Sequence, residues 1–365
     1  MFSETAYKNA DACRFCWMCR HLCPVALKTG KELNSARAKG LMVSLVKRGA
    51  KYDSSMAEAM WECCLCGACT NDCATGYEPR SYIREARSLA VSEGIAPKNV
   101  MTVVDKIFAT GNIYGAEDLN TVFAEETAAL PKSADVLLYM GEVVRAETPE
   151  IGKAAMSLLK KAGVEFTVLA DEPVSGGYMG DMIGFVDEVR RQALKVSCAI
   201  DGCGARTIVV LDPIDARIIK HEYAEWNCAP RAEVLTATAY FASLVAEGKL
   251  QPAKNDVVCS IHDTGALCRD LDESAPVRAL VEALGMKNVE MFRNRALAKS
   301  CGGALLRQYA PELSALTVEG RWEDLLRTDA RLLVTEAPGS YAALKSGMPK
   351  NCQIEDIFVL LDKAL

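Results

Sequence analysis

Residues 13–24 read CRFCWMCRHLCP, and residues 63–73 read CCLCGACTNDC. In the first stretch Cys13, Cys16, Cys19 and Cys23 are spaced C-x2-C-x2-C-x3-C, with Pro24 directly after the last. Cys63, Cys66, Cys69 and Cys73 repeat that spacing. A [4Fe-4S] cubane presents four irons at the corners of a small tetrahedron and needs one thiolate on each. Three cysteines at steps of three fit a tight loop over one face; the fourth must approach from the far side. Two bound [4Fe-4S] clusters are therefore expected, with the metal chemistry concentrated in the first fifth of the chain.

In two-cluster ferredoxins the last cysteine of each run ligates the other cluster. Applied to this chain, cluster one takes Cys13, Cys16, Cys19 and Cys73, and cluster two takes Cys63, Cys66, Cys69 and Cys23. That crossing ties both motifs into one domain. A tetrathiolate zinc site usually shows two C-x2-C pairs separated by a spacer, which an unbroken four-cysteine run does not match. A disulfide framework needs an oxidising compartment, and nothing in the first residues suggests one. Cys64 is the surplus thiol, because choosing it over Cys63 breaks the three-residue step to Cys66; it is expected beside the cluster, not bound to it.

The 365 residues, half of them apolar, suffice for two or three domains with real cores. Nine of the sixteen cysteines precede residue 74 and the rest are scattered. A net charge of −6 and a pI near 5.4 argue against nucleic acid as the main partner, since phosphate binding asks for a basic surface. The opening MFSETAYKNADACRF has no basic segment followed by an apolar one, and no apolar run reaches membrane-spanning length. The expectation is a cytoplasmic protein without a membrane span, with docking on a membrane partner left open.

Periodicity predicts helices over residues 31–48, 53–61 and 80–94, so the cluster region should be mainly helical. Residues 96–133, with Pro97, Gly111, Gly115 and Pro131, read as a helical connecting segment. From residue 134 short β-rich runs alternate with helical patterns: strands at 136–139, 165–169 and 207–211, helices at 149–162, 181–195 and 213–225. The pattern restarts with strands at 256–261, 289–292 and 332–335 and helices at 274–284, 304–328 and 355–364. ADVLLYMGE (134–142) aligns with NDVVCSIHD (255–263), and ARTIVVLDP (205–213) with ARLLVTEAP (330–338), which implies an internal duplication. The expected fold is multidomain α+β. A mainly helical two-[4Fe-4S] ferredoxin-like domain (1–95) and the connector (96–133) precede two pseudo-duplicated α/β lobes with parallel strands (134–252 and 253–365).

The order of the twin cysteine motifs, SARAKGL (35–41), GNIYG (111–115), HDTGALCRD (262–270) and SCGGALL (300–306) resembles the cysteine-rich-domain iron–sulfur oxidoreductases. These include the D-type subunit of heterodisulfide reductase, the iron–sulfur subunits of anaerobic glycerol-3-phosphate dehydrogenase and glycolate oxidase, and lactate-utilisation proteins. The resemblance implies a cysteine cage in each lobe: a cysteine after the first strand, a Cys-Cys-Gly turn, and a C-x2-C after the last strand. Here those places read Gly141-Glu142, Val174-Ser175-Gly176-Gly177 and Leu211-Asp212-Pro213-Ile214-Asp215 in lobe one. In lobe two they read His262-Asp263-Thr264-Gly265, Ser300-Cys301-Gly302 and Ala337-Pro338-Gly339-Ser340, so only Cys301 survives.

With two cubanes and degenerate cages, the chain reads as a non-catalytic electron-transfer subunit. It would relay single electrons between a flavin-containing dehydrogenase partner and an acceptor such as a quinone-reducing subunit, ferredoxin or another flavoprotein. The resemblance implies a 2-hydroxy acid, glycerol phosphate or similar substrate oxidised on the partner. The alternative is a catalytic reductase of a disulfide, quinone or small molecule, with a remodelled site or third metal centre near Cys301, Cys268 and His262, Cys259 being a further candidate donor. Buried cysteine more often serves as a small apolar filler.

Overall fold

Eight short strands, β1 (Val136–Tyr139), β2 (Phe166–Thr167), β3 (Thr207–Val210), β4 (Glu233–Thr236), β5 (Val258–Ile261), β6 (Lys287–Asn288), β7 (Leu332–Thr335) and β8 (Gln353–Asp356), form two parallel sheets in a computed structural model that describes residues 1–365. The sheets have the same order, β2-β1-β3-β4 and β6-β5-β7-β8. The central strands β1 and β7 are buried along their whole length, as strands covered by helices on both faces must be. In each sheet the order reverses between the first strand and its two neighbours. The chain therefore leaves β1 and β3, and likewise β5 and β7, in opposite directions at their carboxyl ends, which opens a crevice there.

Ahead of the sheets lies a helical region. Its helices start where short polar side chains accept an orphan amide: Ser3 for Glu4–Asp11, Ser35 for Ala36–Lys47 and Asp53 for Ser54–Trp61. Pro79 opens Pro79–Ser92 at a position where its missing N–H removes no bond. Helix Lys98–Thr110 turns Val100, Val103, Val104 and Ile107 inward, one stripe at helical spacing. These residues share a core with Tyr82, Ile83, Tyr139, Ile208 and Leu305, so the helical region packs directly on the first sheet and on helix Gly303–Tyr309. A second core joins the two sheet units through Leu138, Val209, Phe241, Ile261, Leu333 and Phe358.

Several elements differ from the sequence expectation for local reasons. The helix expected over 31–48 begins only at Ala36, because Ser35 takes the capping position after a short 3-10 turn at Glu32–Asn34. The span 181–195 is divided between Gly177–Ile183 and Asp187–Cys203. Gly184 stands between them at φ +80, and a Cβ there would lie 2.6 Å from the Arg84 carbonyl oxygen. The span 304–328 breaks at Pro311 into Gly303–Tyr309 and Pro311–Leu326. Strands β4 and β8 were not anticipated, and the strand expected at 289–292 forms at Lys287–Asn288 instead.

Candidate metal centre

The two cysteine loops share one backbone trace. Phe15 and Trp17 in the first, and Leu65 and Gly67 in the second, all have positive φ, at 55°, 68°, 50° and 73°. Three of the four carry side chains, and a left-handed conformation costs such a residue about 1–2 kcal/mol. The turn aims amides at sulfur: Phe15 N–H donates to Cys13 Sγ at 3.4 Å, and Leu65 N–H to Cys63 Sγ at 3.3 Å. Each loop runs into a short helix, Met18–Leu22 or Ala68–Asn71, that carries its third cysteine; the two helices pack together. Cys23 caps helix Pro24–Thr29, its Sγ accepting from Ala26 N at 3.5 Å with Pro24 in the first turn. Cys73 Sγ lies 3.2 Å from the Thr75 hydroxyl.

Cys23, from the first motif, lines one cavity with Cys63, Cys66 and Cys69 of the second; Lys39 and Cys64 complete that wall. In the first motif Cys13 and Cys16 bear on Cys19. Cys73 takes hydrogen bonds from Thr75 and from the Tyr77 backbone, and Tyr77 feels Cys13 and Cys19 of the first motif as well as Cys69 of the second. Burial pushes the Cys23 thiol up to about 12, with Lys39 opposing. Burial, reinforced by neighbouring thiols, also raises Cys64 and Cys69 well above the ordinary range. Four cysteine sulfurs around one cavity, Cys23, Cys63, Cys66 and Cys69, are a donor set of the kind that an iron–sulfur cluster takes.

Three cations surround the second loop, and sequence reasoning missed their role. Lys39 and Arg87 are fully buried, at 0% exposure. Lys39 Nζ donates to the carbonyls of Asn34 at 2.9 Å and Leu33 at 3.2 Å. Arg87 donates to the carbonyls of Cys63 at 2.7 Å, Met60 and Asp181, and to the Tyr309 hydroxyl. Arg269 reaches from the second sheet unit to the Cys66 carbonyl at 2.7 Å and also holds the Ala296 and Ala298 carbonyls, while its Nη2 has no partner. It sits on a π-helical turn, Ala266–Asp270, a rare geometry that often marks functional positions. The next residue, Asp270, pairs with Arg80 at 2.7 Å and fastens the same junction.

Behind the second loop a narrow cleft separates the two sheet units. Cys63, Cys64 and Cys66 form one wall; Asp212 beyond β3, His262 beyond β5 and Ala337 beyond β7 form the others. His262 is held well below its usual value by burial and by the Arg321 and Arg269 charges, and its Nδ1 accepts from Arg321 Nε at 2.9 Å. Asp263 turns away and clasps Arg278 with both oxygens, at 2.8 and 3.0 Å.

In the first sheet unit the stretches 141–142, 174–177 and 211–215 meet through oxygen contacts. Ser175 Oγ donates to Asp215, Tyr178 donates to Asp212 at 2.8 Å, and a Cβ on Gly141 would lie 2.2 Å from Asp215 Oδ2. In the second unit Cys301 has the Gly303 amide and the Ser340 side chain as partners, Cys268 faces Asp263, and Cys259 borders Glu290. Each of these three thiols thus has surroundings of its own.

Residues 9–77 match the family model described as the 4Fe-4S dicluster domain. The chain carries such a domain at its amino end. Over 389 residues it is 26% identical to a "probable membrane-anchored ferredoxin" of Chromohalobacter salexigens, covering 93% of this chain and 57% of that protein. Over 415 residues it is 25% identical to an "EtfAB:quinone oxidoreductase" of Syntrophomonas wolfei, covering 98% and 57%. The chain thus spans just over half the length of these curated relatives. Among solved structures, a hypothetical protein from Helicobacter pylori shares the fold at a TM-score of 0.59 and 11% identity, over all of this chain and 73% of that one. No helix is long and apolar enough to cross a membrane.

Proposed function

We propose that the chain is the iron–sulfur relay of an oxidoreductase and holds two [4Fe-4S] clusters, one on Cys13, Cys16, Cys19 and Cys73, the other on Cys63, Cys66, Cys69 and Cys23. When bound, each cluster supplies a one-electron centre, so a pair in series lets a two-electron donor discharge in single steps. The observation that carries the reading is the wall shared by Cys23, Cys63, Cys66 and Cys69, the set that crossed ligation requires. The dicluster match and the relatives named as a ferredoxin and a quinone oxidoreductase support electron transfer as the task.

In this reading the first loop is the contact with the partner. Phe15, Trp17 and Met18 are 50%, 41% and 52% exposed, and Arg37 lies 3.9 Å over the Trp17 ring, an aromatic and cationic surface of the kind that anchors interfaces. The donor is a flavoprotein, and a quinone-reducing partner is the acceptor; both follow the chemistry in the name of the Syntrophomonas relative. Association with a membrane runs through that partner. The second loop faces the inter-sheet cleft. The degenerate units act as scaffold, because the places of the lost thiolates are packed with hydrogen-bonded carboxylates and hydroxyls.

Anaerobic purification tests this directly. About eight irons per chain, matching acid-labile sulfide and two distinct paramagnetic signals reduced by a reduced electron-transferring flavoprotein are expected. Zinc in place of iron, or clusters that no flavoprotein reduces, would overturn it. A second reading, small-molecule reduction in the cleft, is favoured by the carboxyl strand ends that open there beside His262. Turnover by the chain alone with an artificial one-electron donor would select it.

A further inference from the structure

Around the second cysteine loop three cations, Lys39, Arg87 and Arg269, have no carboxylate as a hydrogen-bond partner, whereas Arg80 pairs with Glu78 and Asp270, and Asp181 stands near Arg87. Every acceptor of Lys39 is a backbone carbonyl; the acceptors of Arg87 are carbonyls and one tyrosine hydroxyl; those of Arg269 are carbonyls. A buried ammonium or guanidinium is strongly disfavoured unless paired. Lys39 has three donors and two carbonyl partners, and it lines the cavity whose other walls are Cys23, Cys63, Cys66 and Cys69. The first loop is treated differently. Arg20, in that loop, and Arg37, on the next helix, pair with Glu32 at 3.6 and 2.9 Å, and Arg14, which bonds only the Asp11 and Ala12 carbonyls, is exposed, as are Phe15 and Trp17.

We propose that Lys39, assisted by Arg87 and Arg269, is the standing counter-charge of the second cluster and keeps that buried cluster reducible. The inference rests on the ligand assignment above. A cubane on four thiolates is anionic and gains a further negative charge on reduction. Removing water penalises that added charge, and a fixed cation in a low-dielectric surround favours it. Carbonyl acceptors hold the cations in place without cancelling their charge, and cancelling it is what a carboxylate partner would do. Electrons arriving at the exposed loop can then pass inward to the centre that faces the cleft.

The test is a redox titration of the full chain, loaded anaerobically, following the two paramagnetic signals separately. Lys39→Met should lower the midpoint of the second cluster by at least about 59 mV, tenfold in the one-electron equilibrium. It should leave the first midpoint in place, and Lys39→Arg should restore most of the shift. A Lys39→Met protein that keeps about eight irons while its second midpoint holds, or moves together with the first, overturns the proposal. Should that variant lose iron, Arg269→Gln, outside the cavity wall, takes its place: a selective fall of the second midpoint supports the proposal and no fall refutes it. Failure of the ligand assignment itself looks different, since the unaltered chain would then lack iron or show a single signal.

Discussion

The first and second cysteine loops share a backbone and differ in everything around it. Both place left-handed residues at the second and fourth positions after the first cysteine, and both turn the same amide onto that cysteine's sulfur. Yet Phe15 is half exposed where Leu65, its counterpart, is 4% exposed. The second loop is covered by the second sheet unit, whose Arg269 bonds the Cys66 carbonyl and whose Gly265 approaches the same atom. The comparison separates two roles. Spacing and loop geometry decide what a motif can bind; the surfaces packed on it decide with what it can exchange.

The strongest way to break the comparison is to remove the residue that crosses it. Cys23→Ser should cost the second loop its cluster while sparing the first, so iron falls from about eight to about four per chain. Paramagnetic spectra identify which signal disappears. Loss of the first signal alone would show that Cys23 serves its own motif, and the wall it shares with Cys63, Cys66 and Cys69 would need another explanation.

A smaller effect is expected where the second loop meets the second sheet unit. A Cβ at Gly265 would lie 2.7 Å from the Cys66 carbonyl oxygen and 2.4 Å from Arg269 Nη2. The backbone there has ordinary helical angles, so the obstacle to a side chain is space and not φ. Gly265→Ala should destabilise the chain by about 1–3 kcal/mol, as overpacking does elsewhere. It should also make the second cluster lose iron to chelators faster than the first. Equal rates from both loops would mean that this contact does not protect the second one.

The loops were legible in the sequence because a ligand run is a local pattern, and the sheet frame was legible wherever strands are apolar. VLLY and LLVT form β1 and β7 where the runs predict them. The outer strands EVLT and QIED were not expected, since charged residues interrupt their short apolar runs, whereas the outer strand β2 lies in a more apolar stretch and was expected. The cations were hidden for another reason. Lys39 and Arg269 lie in SARAKGL and HDTGALCRD, stretches that stand out in the sequence, but a linear pattern does not say whether a charge is buried or what it faces, and Arg87 lies in no such stretch. Only the fold shows that two are sealed from water and that the third crosses between units. In the first sheet unit the absence of cysteine at 141–142, 174–177 and 211–215 was plain in the sequence, but the Ser175–Asp215 and Tyr178–Asp212 contacts that close the space were not.

The smallest effect on stability, and the sharpest on exchange, is expected from making the first loop imitate the second. Trp17 and Gly67 occupy equivalent left-handed positions. Trp17→Gly relieves about 1–2 kcal/mol of backbone strain. It gives up about 0.5–1 kcal/mol of cation–π contact with Arg37 and adds a comparable entropy to the unfolded chain. These terms nearly cancel, so thermal unfolding should shift by less than about 1 kcal/mol, and iron content should hold. Affinity for the reduced flavoprotein should nevertheless fall on the order of tenfold or more, because exposed tryptophans at interfaces commonly contribute about 2 kcal/mol to binding. A variant with unchanged affinity would move the contact away from this loop. A variant that loses the first cluster would show the ring to be a lid on that cluster and not a surface for a partner.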